Sequence, residues 1–556
     1  MKDEIKALYL AVIASIAVIF VTNYFFPKKK IVLERPAVVE KAESAQKTPP
    51  KEVIEIDETI DVSEALKKDE RIKIASDKLS GSIRLKGARF DDLYLTKYKQ
   101  TLDPDSTDIE LFAPAKTDAP YYAEFGWLGN DNNIRLPNAE TVWNARSREL
   151  TPDNPLVLEW QNGQGLKFIR KISLDKDYMF SIEQAVENNS GKKITLYPYG
   201  LISRKESNEK NTSNVVHRGL IGVVENNLKE IKYKDLKNKD AENFESNGGW
   251  AGFSDHYWFS SFILNNNSSN RIKFSNTGEG QYQADYVGEP VSIDSGSLGN
   301  TSVKLFAGAK EIKLLDKYAD KYDIEKFDLA VDFGWYYFLT KPFFYILDFL
   351  FHIIGNMGWA ILLFAGLLRL AMFPIASKSY DSMSKMKKIQ PKVQELQEKY
   401  KEDKVKLQQE MMILYRKEKI NPAAGCLPVL IQIPVFFSLY KVLNIAIEIR
   451  HAPFVGWIKD LSAPDPLTLS TILHFPLPGL IDIGVWPIIM GITMWIQQKL
   501  NPAPTNKDQA RMFALMPIIF TFMLGHFASG LVIYWSLSNV LSILQQKAIM
   551  KKNGVK

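Results

Sequence analysis

The sequence predicts a polytopic α-helical membrane protein, with an N-terminal anchor and a five-helix core. It also predicts a large external β-sandwich and an internal helical hairpin. Three observations carry this. An uncharged run, Ala7–Phe26, lies near the start of the chain. From Arg71 to about Val303, short apolar runs alternate and are separated by turn residues. The last third holds five apolar stretches whose intervening loops are in turn basic and nearly neutral.

The averages conceal this division. The 556 residues are 46% hydrophobic and 24% charged. Their mean hydropathy is −0.15. Such values exclude a wholly disordered or collagenous chain. The single cysteine, Cys426, excludes an intrachain disulfide, a four-cysteine zinc site and a CxxC redox pair. A net charge of +6 is mild for this length and does not mark a nucleic-acid binder.

The elements follow in order. Ala7–Phe26 is 20 residues long. At about 1.5 Å per residue it spans a hydrocarbon core of roughly 30 Å. No small-residue cleavage site follows it, so residues 1–27 read as an uncleaved anchor. Residues 28–70 are rich in Glu, Lys, Pro and Ala and read as a flexible linker. Residues 71–325 form the β domain. Its alternations include Ile83 and Leu85, Leu156 and Leu158, and Tyr178, Phe180 and Ile182. Asn162-Gly163, Asn188-Asn189 and Asn247-Gly248 supply turns. Residues 326–355 include ten aromatics among the 19 residues from Phe333 to Phe351. Two readings fit them, an amphipathic helix at the membrane surface or a buried core helix.

The core stretches are Asn356–Ile375, Leu427–Ile449, Ile483–Leu500, Met512–Ala528 and Leu531–Gln546. They define a first core span over 356–377 and four more over 421–546, followed by a basic tail over 547–556. The segment Lys378–Lys419 carries 12 Lys and Arg against 7 Asp and Glu, a net of +5. It is therefore internal. The loop Glu448–Asp482 has only Arg450 and Lys459 as basic residues besides histidine, and reads as external. Both termini are then inside and the β domain outside. Lys28–Lys30 favour the opposite orientation for the anchor, but the five later stretches agree with one another and decide it.

Residues 378–420 have helical periodicity. Met383, Met386, Ile389, Val393, Leu396 and Tyr400 recur at spacings of three and four. Val405, Met411 and Leu414 continue on a second helix. This predicts an antiparallel hairpin with a Met-rich seam.

Arg369 is the most informative single residue. It lies about two turns above the inner end of the first core span, where an ionised side chain costs up to about 2.5–3.5 kcal/mol. Snorkelling to the inner headgroups is one reading. The other is a hydrated, polar-lined concavity, because the remaining core stretches hold no carboxylate but Glu448 at an outer edge. The candidate lining is Gln432 and Ser438, Thr493, Gln497 and Gln498, and Tyr534, Trp535 and Ser536. Lys441, nearer the outer end, reads as a snorkelling residue.

Several motifs are absent. The chain has no GxxxxGK[ST] loop, no HExxH and no GxSxG elbow. Its six histidines are scattered and form no ligand pair. No cofactor, no metal and no enzymatic activity are expected.

The runs GLLRLAMFPIASKSYDSMSKMKKIQPKVQELQEKY, QQEMMILYRKEKINPAAGCLPVLIQIPVFFSLYKVL, APFVGWIKDLSAPDP and MPIIFTFMLGHFASGLVIYWSLSN carry a resemblance. Over nearly its whole length the chain resembles the YidC family of membrane protein insertases, which is shared with mitochondria and chloroplasts. An anchor followed by a large external domain is similar to the Gram-negative form. The resemblance implies a periplasmic β-supersandwich and an interfacial helix. It also implies a five-helix core with a hydrophilic groove open to cytosol and lipid, in the inner membrane. Arg369 occupies the place of the groove arginine, Gln432 that of a groove glutamine, and Gln498 a polar place on the next span. Tyr534 and Trp535 stand at substrate-contact places, while Lys441 has no counterpart. The partners implied are nascent membrane proteins, the ribosome, the Sec translocon and the bilayer. Two other classes stay open: a channel or transporter, revealed by solute flux in proteoliposomes, and a sugar-binding external domain, revealed by sugar binding.

Overall fold

The computed structural model describes residues 48–50, 59–206, 216–237, 239, 241–418, 420, 427–479, 481–502 and 507–555. The expected anchor over 1–27 and most of the linker lie outside the described residues. The linker's last residues are structured. Val62–Leu66 is a short helix, where the Asp61 side chain accepts the Ser63 amide at 2.8 Å.

Among the described residues two sheets build the β domain, one of eleven strands and one of nine. The path of the first runs Ala241–Asn247, Ser269–Gly278, Gln281–Val287, Ile194–Lys205, Tyr121–Gly129, Arg89–Lys99, Leu79–Arg84, Arg71–Ala75 and Glu149–Leu150. The second is centred on Met179–Asn188, which pairs antiparallel with Ser297–Ala309 over ten residues, Phe180 facing Leu305. The alternating residues predicted to point inward are buried: Ile83, Leu85, Leu156, Leu158, Tyr178, Phe180 and Ile182. The sheets meet face to face. Phe90 of the first meets Phe180 of the second with ring centroids 5.3 Å apart. Between them lies Arg170, fully enclosed. It donates to the Phe125 and Ala88 carbonyls and to Gln184, with its guanidinium 4.9 Å from the Trp143 ring. Burial pushes this guanidinium down to about 10. At Gly252 a side chain is excluded, since a Cβ there would stand 2.0 Å from the Ser260 carbonyl oxygen.

Among the described residues the longer helices are α1 (Ile312–Tyr322), α2 (Tyr337–Ile354), α3 (Met357–Lys388), α4 (Gln390–Lys399), α5 (Lys404–Lys417), α6 (Leu427–Ile445), α7 (Val485–Leu500), α8 (Lys507–Leu524) and α9 (Ser529–Lys552). Each of the five predicted apolar stretches overlaps one of them: α3, α6, α7, α8 and α9. By length and apolarity α2 and α3 are long enough to cross a membrane, and Leu430–Ile445 and Ala510–Leu524 are shorter apolar helices. Prolines lie inside α2, α3, α6 and α8 at Pro342, Pro374, Pro434 and Pro517. Packing against neighbouring helices tolerates such breaks.

Three details differ from the sequence reading. α3 does not end near Ile375 but runs unbroken to Lys388, carrying the first core stretch into the hairpin. The seam between α4 and α5 holds Ile389, Val393 and Ile420, with Met386, Met411, Leu414 and Tyr415. Met383 packs instead beside Ala376, Tyr380 and Ile549 of α9. Val405 is 63% exposed. Nine residues from Leu414, at about 100° each, it falls on the opposite face of α5. α2 is apolar on two sides. Phe343, Phe344, Leu347 and Leu350 are buried, whereas Phe338, Ile346, Phe349 and Ile353 are exposed.

Candidate functional site

α3, α6 and α9 position the site. Arg369 stands on α3 and faces α9. Its guanidinium donates to the Ser538 carbonyl at 3.1 Å, to the Ser538 hydroxyl at 3.2 Å, and to the Ser542 hydroxyl. Ser542 in turn donates to the Ser538 carbonyl at 2.7 Å. These two serines are four residues apart, so one helix face presents both. Tyr534, four residues earlier, continues that face and is buried. Its hydroxyl accepts from Gln432 Nε2 of α6 at 3.1 Å. Among the described residues Arg369 makes no ion pair, and its buried Nε has no hydrogen-bond acceptor. The cation is therefore oriented by neutral groups that leave its charge uncompensated.

The other sequence candidates sit elsewhere. Thr493 on α7 accepts from Asn539 Nδ2 at 3.1 Å, which ties α7 to another face of α9. Ser536 turns back to the Val532 carbonyl at 2.8 Å. Trp535, about 100° round the helix from Tyr534, meets Phe436 of α6 with centroids 4.6 Å apart. It belongs to an apolar cluster with Met490, Leu524 and Val532. Ser438 is fully buried in α6 and its hydroxyl has no partner among the described residues. Gln497 and Gln498 are half-buried near the end of α7. Arg369, Gln432 and Tyr534 thus share one wall, and among the described residues no hydrogen bond joins the remaining candidates to these three.

Lys441 does not snorkel freely. Its ammonium donates to Asp332 Oδ2 at 2.8 Å, in the segment that leaves the β domain. The carboxylate comes from a stretch 109 residues away, so spacing within the span gave no hint of it.

Two family models divide the chain. The YidC periplasmic domain matches residues 71–346, and the 60Kd inner membrane protein family matches residues 349–555. The chain belongs to the YidC family. It is 46% identical over 561 residues to the membrane protein insertase YidC of Rickettsia rickettsii (strain Iowa), covering 100% of both chains. With the same-named protein of Rickettsia bellii the identity is 44%, over 99% of this chain and 100% of that one. A solved structure of the active YidC insertase with its first transmembrane domain resolved is 18% identical, with a TM-score of 0.37 over 86% of this chain and 92% of that one. YidC is a family of insertases and not of enzymes.

In this YidC-family chain the residues missed from sequence are Ser538, Ser542 and Gln545. Gln545 donates to Ser377 Oγ at 3.1 Å and to the Phe373 carbonyl at 3.2 Å. Further down, Asn553 reaches Asp381 at 2.7 Å. With Tyr534 they form a polar stripe along α9 at helical spacing, and that spacing was the available signal.

Proposed function

We propose that the chain inserts nascent membrane proteins through a hydrophilic groove whose central charge is Arg369. The observation that carries this reading is the guanidinium held by serine hydroxyls and a carbonyl, next to the Gln432–Tyr534 pair. A carboxylate partner would have cancelled the charge, whereas hydroxyls only aim it.

Hydrophilic flanks of the substrate enter the groove from the cytosol, and acidic groups exchange their water for Arg369. The polar wall shortens the apolar distance those flanks cross. The substrate's apolar segment then leaves sideways into lipid, driven by burial at about 25 cal/mol per Å². The membrane potential draws each acidic charge outward by roughly 2.3 kcal/mol per 100 mV. Ser438, Thr493, Gln498 and Trp535 shape the helices that carry this wall.

In the same reading α3, α6, α7, α8 and α9 all cross the inner membrane, with both termini and the α4–α5 hairpin cytoplasmic. The β domain is periplasmic, residues 1–27 anchor the chain, and α2 lies at the outer surface on its exposed aromatic face. The ribosome delivers substrates and the Sec translocon shares some of them. A photo-crosslinker at Gln432 or Ser538 should capture ribosome-bound nascent chains, while one at Met412 on the exposed face of α5 should not report the groove. No capture at either groove position, with capture at Met412, contradicts the reading.

A further inference from the structure

Lys441 is an intramembrane charge to which the groove gives no task. It stands nine residues beyond Gln432 on α6, about 13 Å along the helix. Its side chain is 13% exposed and that of its partner Asp332 26%. Asp332 is itself held. Its Oδ2 accepts the His217 amide at 3.4 Å and its Oδ1 the Gly334 amide at 3.1 Å. Gly334 lies against the Lys441 stem, where a Cβ would stand 3.4 Å from Cε. Less than a turn further on, the Asn444 carbonyl accepts the His256 ring Nε2–H. Past the helix, Arg450 donates to the Lys99 and Gln100 carbonyls at 2.7 and 3.1 Å, its guanidinium over the Trp258 ring. These bonds tie the outer end of α6 to the β domain.

The helix is divided accordingly. In its outer half Ser438, Leu439, Val442, Leu443 and Ile445 are buried. In its inner half Leu430 and Ile433 are exposed. Pro434 lies between the halves and cannot donate to the Leu430 carbonyl, so the helix is soft there.

We propose that Asp332 is a positioning residue for the insertion groove, acting through Lys441. The ion pair seats the outer half of α6 on the β domain, and the inner half, which bears Gln432, moves about that fixed seat when a substrate enters. An exposed pair contributes little to such a seat. This one is shielded, so losing either partner costs more than it would at the surface. The proposal rests on the groove reading and gives the β domain a part in it.

The test uses the full chain with Cys426→Ser and spin labels on cysteines at Leu430 and Leu544, both exposed. Asp332→Asn and Lys441→Met should each broaden the label-to-label distance distribution and slow insertion of a single-span substrate into proteoliposomes several-fold. Met keeps the apolar stem of Lys441, so that form should fold. Lys441→Arg, which keeps the cation and leaves the amide acceptors of Asp332 in place, should preserve both readouts, which a merely structural role of the lysine stem would not require. Unchanged distributions in both single variants, or a Lys441→Arg form as impaired as Lys441→Met, overturns the proposal. So does broadening without any loss of insertion. Arg369→Ala is measured alongside. Full insertion by that form overturns the groove reading, and the label distances still decide whether Asp332 seats α6.

Discussion

Arg369 shows how much depends on the partner of a charge. Its donors end on Ser538 and Ser542, so its direction is fixed while its charge stays available. Hydrogen bonds to charged groups contribute about 1.5–3 kcal/mol each. Replacing both serines by alanine should therefore leave the guanidinium only the Ser538 carbonyl, loosening it without removing it. Insertion of an acidic-tailed substrate should fall part of the way towards that of Arg369→Ala, and Ser542→Thr should retain it. Arg170 is the contrasting case, a cation used as mortar between two sheets. Arg170→Met leaves the Phe125 and Ala88 carbonyls and Gln184 without their donor. A loss of about 1–3 kcal/mol is expected for such orphaned groups, seen as a lower unfolding midpoint by circular dichroism. At this scale Arg369, Gln432 and Tyr534 were legible as candidates, because polar residues stand out in apolar helices. That Trp535 meets Phe436 rather than the polar face was not legible, since adjacent residues of a helix point about 100° apart.

Among the elements, α7 depends most on one residue outside it. Asp465, buried in the loop before it, accepts the Trp486 amide at 2.8 Å, the Leu467 amide at 3.0 Å and the Trp457 indole at 2.9 Å. It closes one open amide of the helix start, that of Trp486, and places its negative charge at the positive end of the helix dipole. Asp465→Ala leaves three donors without partners and should cost several kcal/mol in total, at about 1–3 kcal/mol for each orphaned group. The check is a lower thermal midpoint in detergent, with Asp465→Asn between the two. Strands were legible as elements because alternation maps directly onto the two faces of a sheet. Helix limits were less so. In the run from Met357 to Lys388, Pro374 and the change from apolar to polar residues mark the end of the apolar stretch but not of the helix, which Lys and Met continue readily.

For the whole molecule, the contact between β domain and helices was the illegible part. The Asp332–Lys441 and His256–Asn444 pairings join residues more than 100 positions apart, and neither carries a local pattern. The same region sets an acid limit. His217 donates to the Leu220 carbonyl and His256 to that of Asn444, and burial pushes both down to about 4 from 6.5. Unfolding lets them take up protons that the folded chain refuses. Their contribution is complete above pH 6.5 and is lost as pH falls towards about 4. Unfolding midpoints should drop across that window, and His256→Gln should flatten the drop. The ordinary averages of the chain thus divide into a polar external domain and an apolar core, and in the proposed reading Arg369 is the charge on which insertion turns. The most direct measurement is insertion, into proteoliposomes under a membrane potential, of a small substrate whose flank is either acidic or neutralised. Arg369→Ala should lose the acidic substrate and keep most of the neutral one, while Arg369→Lys inserts both. Equal insertion of the acidic substrate by the alanine form and the unmodified chain, at matched protein levels, would contradict the account.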